Sequence, residues 1–163
     1  MEFYPAIFTL HIVFGGIWLV NLILDFPLRK MIIKASGSAN QKTYISIYFY
    51  VINLLGMIGA TGILVTGISL VLLNPGYNFF QMSANHWLAS KQILMVLLLI
   101  VLGVFLIPTA KKIRLELQSV SSDSGTLSTE TNSSLKKLFK LNTIINFIVL
   151  INFLFAITHN FIG

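Results

Sequence analysis

The stretch YISIYFYVINLLGMIGATGILVTGISLVLL, residues 44–73, decides the fold, because its thirty residues include no charged side chain. About twenty apolar residues in a helix are enough to cross the hydrocarbon core of a bilayer. Lipid offers no hydrogen-bond partners to the backbone, so a lone segment of this kind must be helical. Three further apolar stretches of membrane-spanning length occupy residues 4–26, 87–108 and 138–162. The sequence therefore predicts an all-α integral membrane bundle of four transmembrane helices.

The composition of the whole chain agrees with a membrane protein. Of its 163 residues 56% are hydrophobic and 10% are charged, against about 25% charged in soluble domains. The mean hydropathy is +0.86, and a soluble domain of this size could not bury so much apolar surface. The chain has no cysteine, which excludes a disulfide scaffold, thiolate zinc sites and iron–sulfur clusters.

We expect one domain over residues 1–163, with its first apolar segment retained as a helix and not removed as a signal peptide. The helices are predicted at about 4–27, 44–73, 87–110 and 138–162. The second helix is predicted to end at Asn74-Pro75-Gly76, a turn signal. Residues at about 115–135 are rich in Ser, Thr and Asn in their middle, which predicts a flexible loop.

Ten of the eleven Lys and Arg residues fall on one side of such a bundle. Four lie between the first and second helices and six flank the connection between the third and fourth, whereas Lys91 lies within the third helix. The positive-inside rule therefore predicts that both basic connections are cytoplasmic, that both termini lie outside, and that the host membrane is the inner membrane of a cell. Basic charge next to membrane helices indicates contact with anionic lipid and not with nucleic acid.

The three histidines, His11, His86 and His159, all fall near the outer ends of the predicted helices. Imidazoles within a helical bundle suit haem iron, copper or zinc. Haem b fits the apolar surroundings best, and covalent c-type attachment cannot occur without cysteine. We predict that His11 is a metal ligand and that His159, His86 or Lys91 is the second. Helix packing, or contact with lipid headgroups, is the alternative explanation for each histidine.

Polar and small residues share faces of the first two helices. Residues spaced three and four apart mark one face of the first helix: His11, Gly15, Trp18, Leu22, Asp25 and Arg29. Small residues mark a face of the second helix: Gly56, Ala60 and Gly67. Such faces leave room for a flat cofactor, which makes Gly15, Trp18 and the small residues candidate cofactor-binding positions. Close packing of helices is the alternative explanation.

The position of Lys91 within the third helix requires an explanation, because placing a charged side chain inside a membrane costs free energy. Near the boundary, its stem can lie along the helix while its amine reaches the headgroups. The functional alternatives are a neutral amine that ligates a metal, a group that carries protons, and a partner for a propionate or another anionic group.

The run His11-Ile-Val-Phe-Gly-Gly-Ile-Trp18, with Pro27 and Arg29 after it, resembles the first helix of the HemJ-type protoporphyrinogen oxidases. Thr66-Gly67 resembles an element of that family's second helix, and Trp87-Leu88-Ala89-Ser90-Lys91 resembles its W-L-x-x-K third helix. The wider group of small four-helix membrane proteins that includes the CopD copper-resistance domain has similar features. The resemblance implies bound haem b, an essential pair at His11 and Lys91, and Trp87 among the cofactor-binding residues.

Two departures from the family pattern affect the expected function. Leu28 separates Pro27 from Arg29, and the family's Asn-Glu-x-Pro element is reduced here to Lys140-Leu-Asn142. We therefore expect first a haem-b membrane protein that relays electrons or serves as an accessory subunit of a respiratory complex. Its expected partners are membrane lipid, a quinone or other redox partner, and partner subunits or a second copy of the chain. The alternatives are a HemJ-like oxidase in which Lys91 is catalytic, and a CopD-like copper-handling protein.

Overall fold

A computed structural model of the chain describes residues 2–38, 40–119 and 127–162, and at positions 119 and 159–162 it describes the course of the helix only. The α-helices are α1 Tyr4–Lys34, α2 Asn40–Leu73, α3 His86–Ile100, α4 Ile107–Ser119 and α5 Thr129–Ile162. A π-helical segment, Val101–Leu106, joins α3 to α4 without interruption. Four helical units are long and apolar enough to cross a membrane: α1, α2, the continuous α3–α4 unit and α5. The predicted all-α four-helix bundle is confirmed.

The helices extend beyond the predicted spans at the end of the bundle that carries the lysines and arginines, here called the basic end. α1 continues past Pro27 to Lys34, α2 begins at Asn40, and α5 begins at Thr129 instead of 138. The predicted flexible loop at about 115–135 is therefore wrong at both of its ends, and its middle, 120–126, lies outside the described residues. Ser128 caps α5, since its Oγ accepts the backbone N–H of Thr131 at 3.0 Å.

The basic end has an apolar core of its own, which explains why the helices continue there. The buried side chains of this core come from α1, α2, α4 and α5: Ile32, Ile45, Tyr48, Phe49, Ile52, Ala110, Ile113, Leu117, Leu135 and Leu138. In α4, Ile113 and Leu117 are buried whereas Lys111 and Lys112 are exposed. An amphipathic helix thus continues beyond the uniformly apolar run that predicted the helix end.

A second core lies in the middle of the bundle, around Trp18. Its buried members come from α1, α3 and α5: Trp18, Leu98, Ile145, Ile148 and Val149. Beyond it lies the end that carries His11 and His86, here called the histidine end. There, no side chain of residues 4–17 in α1 or 150–158 in α5 is fully buried. α1 and α5 are therefore packed closely in the middle and at the basic end, and more openly at the histidine end.

Candidate functional site

The His11 imidazole lies against α2 and is oriented by Thr66. His11 Nδ1 is 2.8 Å from Thr66 Oγ1, and the Thr66 hydroxyl donates to the carbonyl oxygen of Gly62 at 2.5 Å. With the hydroxyl hydrogen on Gly62, Thr66 Oγ1 is the acceptor for His11 Nδ1–H, and in the neutral imidazole of this tautomer Nε2 keeps its lone pair. An imidazole whose Nδ1–H is fixed in this way is prepared to ligate a metal through Nε2.

Lys91 lies in the same half of the bundle as His11. Its side chain is half-buried, and its Nζ is 5.6 Å from the centre of the Trp87 ring. Asn152 of α5 donates to the Lys91 backbone carbonyl at 3.2 Å, which ties α5 to α3 at this level. The structure thus places three of the predicted site residues, His11, Lys91 and Trp87, at the histidine end. We call His11, Thr66, Gly67 and Lys91 the His11 cluster.

The other two histidines do not join this cluster among the described side chains. His86 is the exposed first residue of α3, where its backbone carbonyl accepts the Ser90 hydroxyl at 2.8 Å. The side chain of His159 lies outside the described residues. Within the part of the chain that the structure describes, no three His, Asp or Glu side chains converge to hold a metal ion. Lys91 is therefore the candidate second ligand that the described residues place near His11.

The space beside His11 is closed on α2 and open on α1. A Cβ added to Gly67 would lie 3.4 Å from His11 Cε1, so this glycine packs directly on the imidazole. A Cβ added to Gly15, one turn along α1 from His11, would meet no atom within 4 Å. An oriented imidazole, an apolar surrounding and open glycine surface on the same helix fit a flat haem b group.

The remaining small residues of α2 are occupied by helix packing. Gly59 packs on Trp18, whose ring would lie 3.2 Å from an added Cβ, and a Cβ on Gly62 would overlap the Phe14 ring. Gly56 faces Asn21 of α1, and Ala60 packs against the Trp18 core. Trp18 is itself enclosed by protein. Packing therefore accounts for the predicted cofactor-binding positions Trp18, Gly56 and Ala60, whereas Gly15 and Gly67 adjoin His11.

A second polar cluster surrounds Asp25 toward the basic end. The sequence alone did not predict a site there. Asp25 is 5% exposed. Its Oδ1 accepts Arg29 Nε at 2.8 Å, the Tyr48 hydroxyl at 2.8 Å and Asn142 Nδ2 at 2.9 Å. Its Oδ2 accepts Asn146 Nδ2 at 3.0 Å and pairs with Arg29 Nη2. These residues, the Asp25 cluster, join α1, α2 and α5.

The partners of Arg29 complete the Asp25 cluster. Arg29 Nη1 donates to Thr143 Oγ1 at 2.7 Å, and the guanidinium carbon is 5.1 Å from the centre of the Phe139 ring. A buried ion pair is tolerated only when its remaining hydrogen-bonding groups also find partners, and both Asp25 oxygens do. The sequence contains one indication of this cluster, the helical spacing of its polar residues. Asp25 and Arg29 lie four residues apart in α1, as do Asn142 and Asn146 in α5.

The four apolar helices make the chain a multi-pass membrane protein that contacts lipid. Comparisons with protein-family models, with curated proteins and with solved structures found no match. What the protein does is accordingly inferred from the His11 and Asp25 clusters.

Proposed function

We propose that the protein is a haem-b-binding membrane redox protein that relays electrons or serves as an accessory subunit of a membrane respiratory complex, with His11 as a ligand of the haem iron. The observation that carries this proposal is the hydrogen-bond chain from His11 through Thr66 to the Gly62 carbonyl. Because the chain engages Nδ1, Nε2 is the ring nitrogen through which His11 would bind the iron.

Haem b, when bound, supplies a one-electron iron couple. Thr66 holds the His11 ring in one tautomer, and Gly15 leaves space beside it on α1. Lys91, in the same half of the bundle as His11, would pair with a propionate or, as the neutral amine, would be the second ligand. His159 and His86 stay the alternative second ligands. A quinone in the bilayer, or a partner subunit, would complete the electron path.

The test is the absorption spectrum of the purified full chain in detergent, before and after reduction with dithionite. We expect reducible b-type bands in the wild type, and their loss in His11→Ala. Ser69→Ala, an exposed change in α2 that removes only a hydroxyl bonded within its own helix, is the matched control and should keep the bands. An unchanged haem content in His11→Ala, or no haem uptake by the folded wild type, would refute the proposal.

A second candidate function is HemJ-like oxidation of protoporphyrinogen, and the observation that favours it is the half-buried Lys91 in the same half of the bundle as His11. Removing hydrogen from a porphyrinogen releases protons as well as electrons, and the half-buried Lys91 amine is a candidate proton acceptor. An acceptor of the quinone class would take the electrons.

Complementation of a strain that lacks its own protoporphyrinogen oxidase separates the two functions. Rescue by the wild type but not by Lys91→Met, which keeps the apolar stem, would support the oxidase. A well-expressed, haem-loaded wild type that does not rescue the strain would leave the electron-relay function.

A further inference from the structure

Three buried polar atoms without partners lie next to the Asp25 cluster, on the side toward the histidine end. They are Trp18 Nε1, Asn21 Oδ1 and Asn146 Oδ1, on side chains that are 2%, 3% and 8% exposed. Trp18, Asn21 and Asp25 follow each other at spacings of three and four residues and share one face of α1. Asn146 of α5 meets this face through its hydrogen bond to Asp25 Oδ2.

The chemistry of two of the three groups fixes what they offer. A carboxylate only accepts, so Asn146 must direct Nδ2 to Asp25, and its Oδ1 is left as an acceptor. An indole N–H only donates. The Asn21 amide, whose Nδ2 lies toward Gly56 of α2, carries both a donor and an acceptor. The protein therefore offers a donor at Trp18, an acceptor at Asn146 and the Asn21 amide, all closed off from solvent.

We propose that Trp18, Asn21 and Asn146 bind an ordered water molecule inside the membrane, beside Asp25. The complementary ligand must both donate and accept hydrogen bonds in a small volume, as water does. A cation would face the Trp18 N–H, and an anion would face the Asn146 amide oxygen. The charge of Asp25 is matched by Arg29, so no unpaired charge is present to attract an ion.

This water extends the hydrogen-bond network of the Asp25 cluster to Trp18 in the middle of the bundle. Buried waters in proteins typically make about three hydrogen bonds to groups that have no other partner, as this one does. The site depends neither on haem nor on His11.

The direct test is nuclear magnetic resonance of the ¹⁵N-labelled full chain in detergent micelles. The chain has two tryptophans, and the Trp18 indole signal is the one that Trp18→Phe removes. We expect a cross-peak between the Trp18 indole proton and water. A Trp18 indole signal that shows no contact with water would overturn the proposal.

A second test depends on the sign of a stability change. Asn21→Leu is close to isosteric and removes one partner of the water. If the water is bound, its loss of a partner lowers the midpoint of thermal unfolding and weakens the cross-peak. If Asn21 Oδ1 were unpaired in a dry interior, removing it would raise the midpoint instead. Asn53→Leu, on an exposed position of α2, is the control for adding an apolar side chain to a membrane helix.

A rise of the midpoint in Asn21→Leu as large as that in Asn53→Leu would overturn the proposal. Should Asn21→Leu fail to fold, the cross-peak of the wild type still decides whether water is present.

Discussion

At the scale of single residues, the state of His11 depends on Thr66. Thr66→Val keeps the shape of the side chain but removes the oxygen that accepts His11 Nδ1–H. Partners of this kind orient metal-ligating histidines, and their loss lowers metal affinity by about 10–100-fold. We expect Thr66→Val to bind haem more weakly in that range, measured by titrating the purified protein and following the absorption bands.

Thr66→Ser is the matched variant for this prediction, because it keeps the hydroxyl and should keep most of the affinity. Equal haem affinities in the valine and serine variants would mean that Thr66 does not orient a ligand.

Asp25 and Arg29 are expected to depend on each other. Asp25→Asn leaves the Arg29 guanidinium, whose side chain is 17% exposed, without its counter-charge. Breaking a fully buried pair costs about 3–5 kcal/mol, and the partial exposure of Arg29 lowers that cost. We expect a large fall in the unfolding midpoint in detergent for Asp25→Asn and for Arg29→Met. The double variant Asp25→Leu/Arg29→Met leaves no buried charge and should be more stable than either single variant.

An additive loss of stability in the double variant would contradict this coupling between Asp25 and Arg29.

The two clusters differ in how far the sequence could predict them. Helical periodicity placed His11, Gly15, Asp25 and Arg29 on one face of α1, as the structure has them. The helical periodicity of a sequence, however, shows which residues share a face of one helix and not which helices that face contacts. That Asp25 meets Tyr48 and Asn142 depends on how α1, α2 and α5 pack side by side. Contacts between residues so far apart in the chain leave no periodic signal, so the Asp25 cluster became visible in the structure.

At the scale of helices, the apolar runs predicted that each membrane-spanning helix exists. They did not predict where several of these helices begin or end. The turn signal at Asn74-Pro75-Gly76 predicts the end of α2 correctly, since Gly76 N–H bonds to Asn74 Oδ1 at 3.0 Å. At the basic end the uninterrupted apolar runs stop, while the helices continue around a core that includes Ile113 and Leu135. The capping residue Ser128, followed by Glu130, was the signal for the start of α5.

The contact between α1 and α2 gives a prediction for the helix pair. A Cβ on Gly62 would overlap the Phe14 ring, so Gly62→Ala must push α1 and α2 apart or displace the ring. Overpacking of this kind costs about 1–3 kcal/mol. Gly16→Ala is the matched control, because its added Cβ meets no atom within 4 Å. We expect a lower unfolding midpoint for Gly62→Ala and no decrease for Gly16→Ala.

If both alanine variants behaved alike, close contact of the two helices at Gly62 would be excluded.

At the scale of the whole molecule, the two ends of the bundle differ in their number of basic residues. Ten of the eleven Lys and Arg residues belong to the basic end, where Lys112 also bridges α4 and α5 through Glu130 at 2.7 Å. The loop between α2 and α3, at the histidine end, carries none. From the positive-inside rule we predict that the basic end lies in the cytoplasm. Under that orientation, the His11 cluster lies in the outer half of the membrane and the Asp25 cluster in the inner half.

The absence of native cysteine makes this orientation directly testable with single cysteines. Ser83 is exposed at the histidine end and Ser36 is exposed in the turn between α1 and α2 at the basic end. A membrane-impermeant thiol reagent applied to intact cells should label Ser83→Cys, and should label Ser36→Cys only after the membrane is opened. The reverse pattern would invert the bundle. It would place His11 in the inner half, so that any electron partner of the His11 cluster would have to approach from the cytoplasmic side.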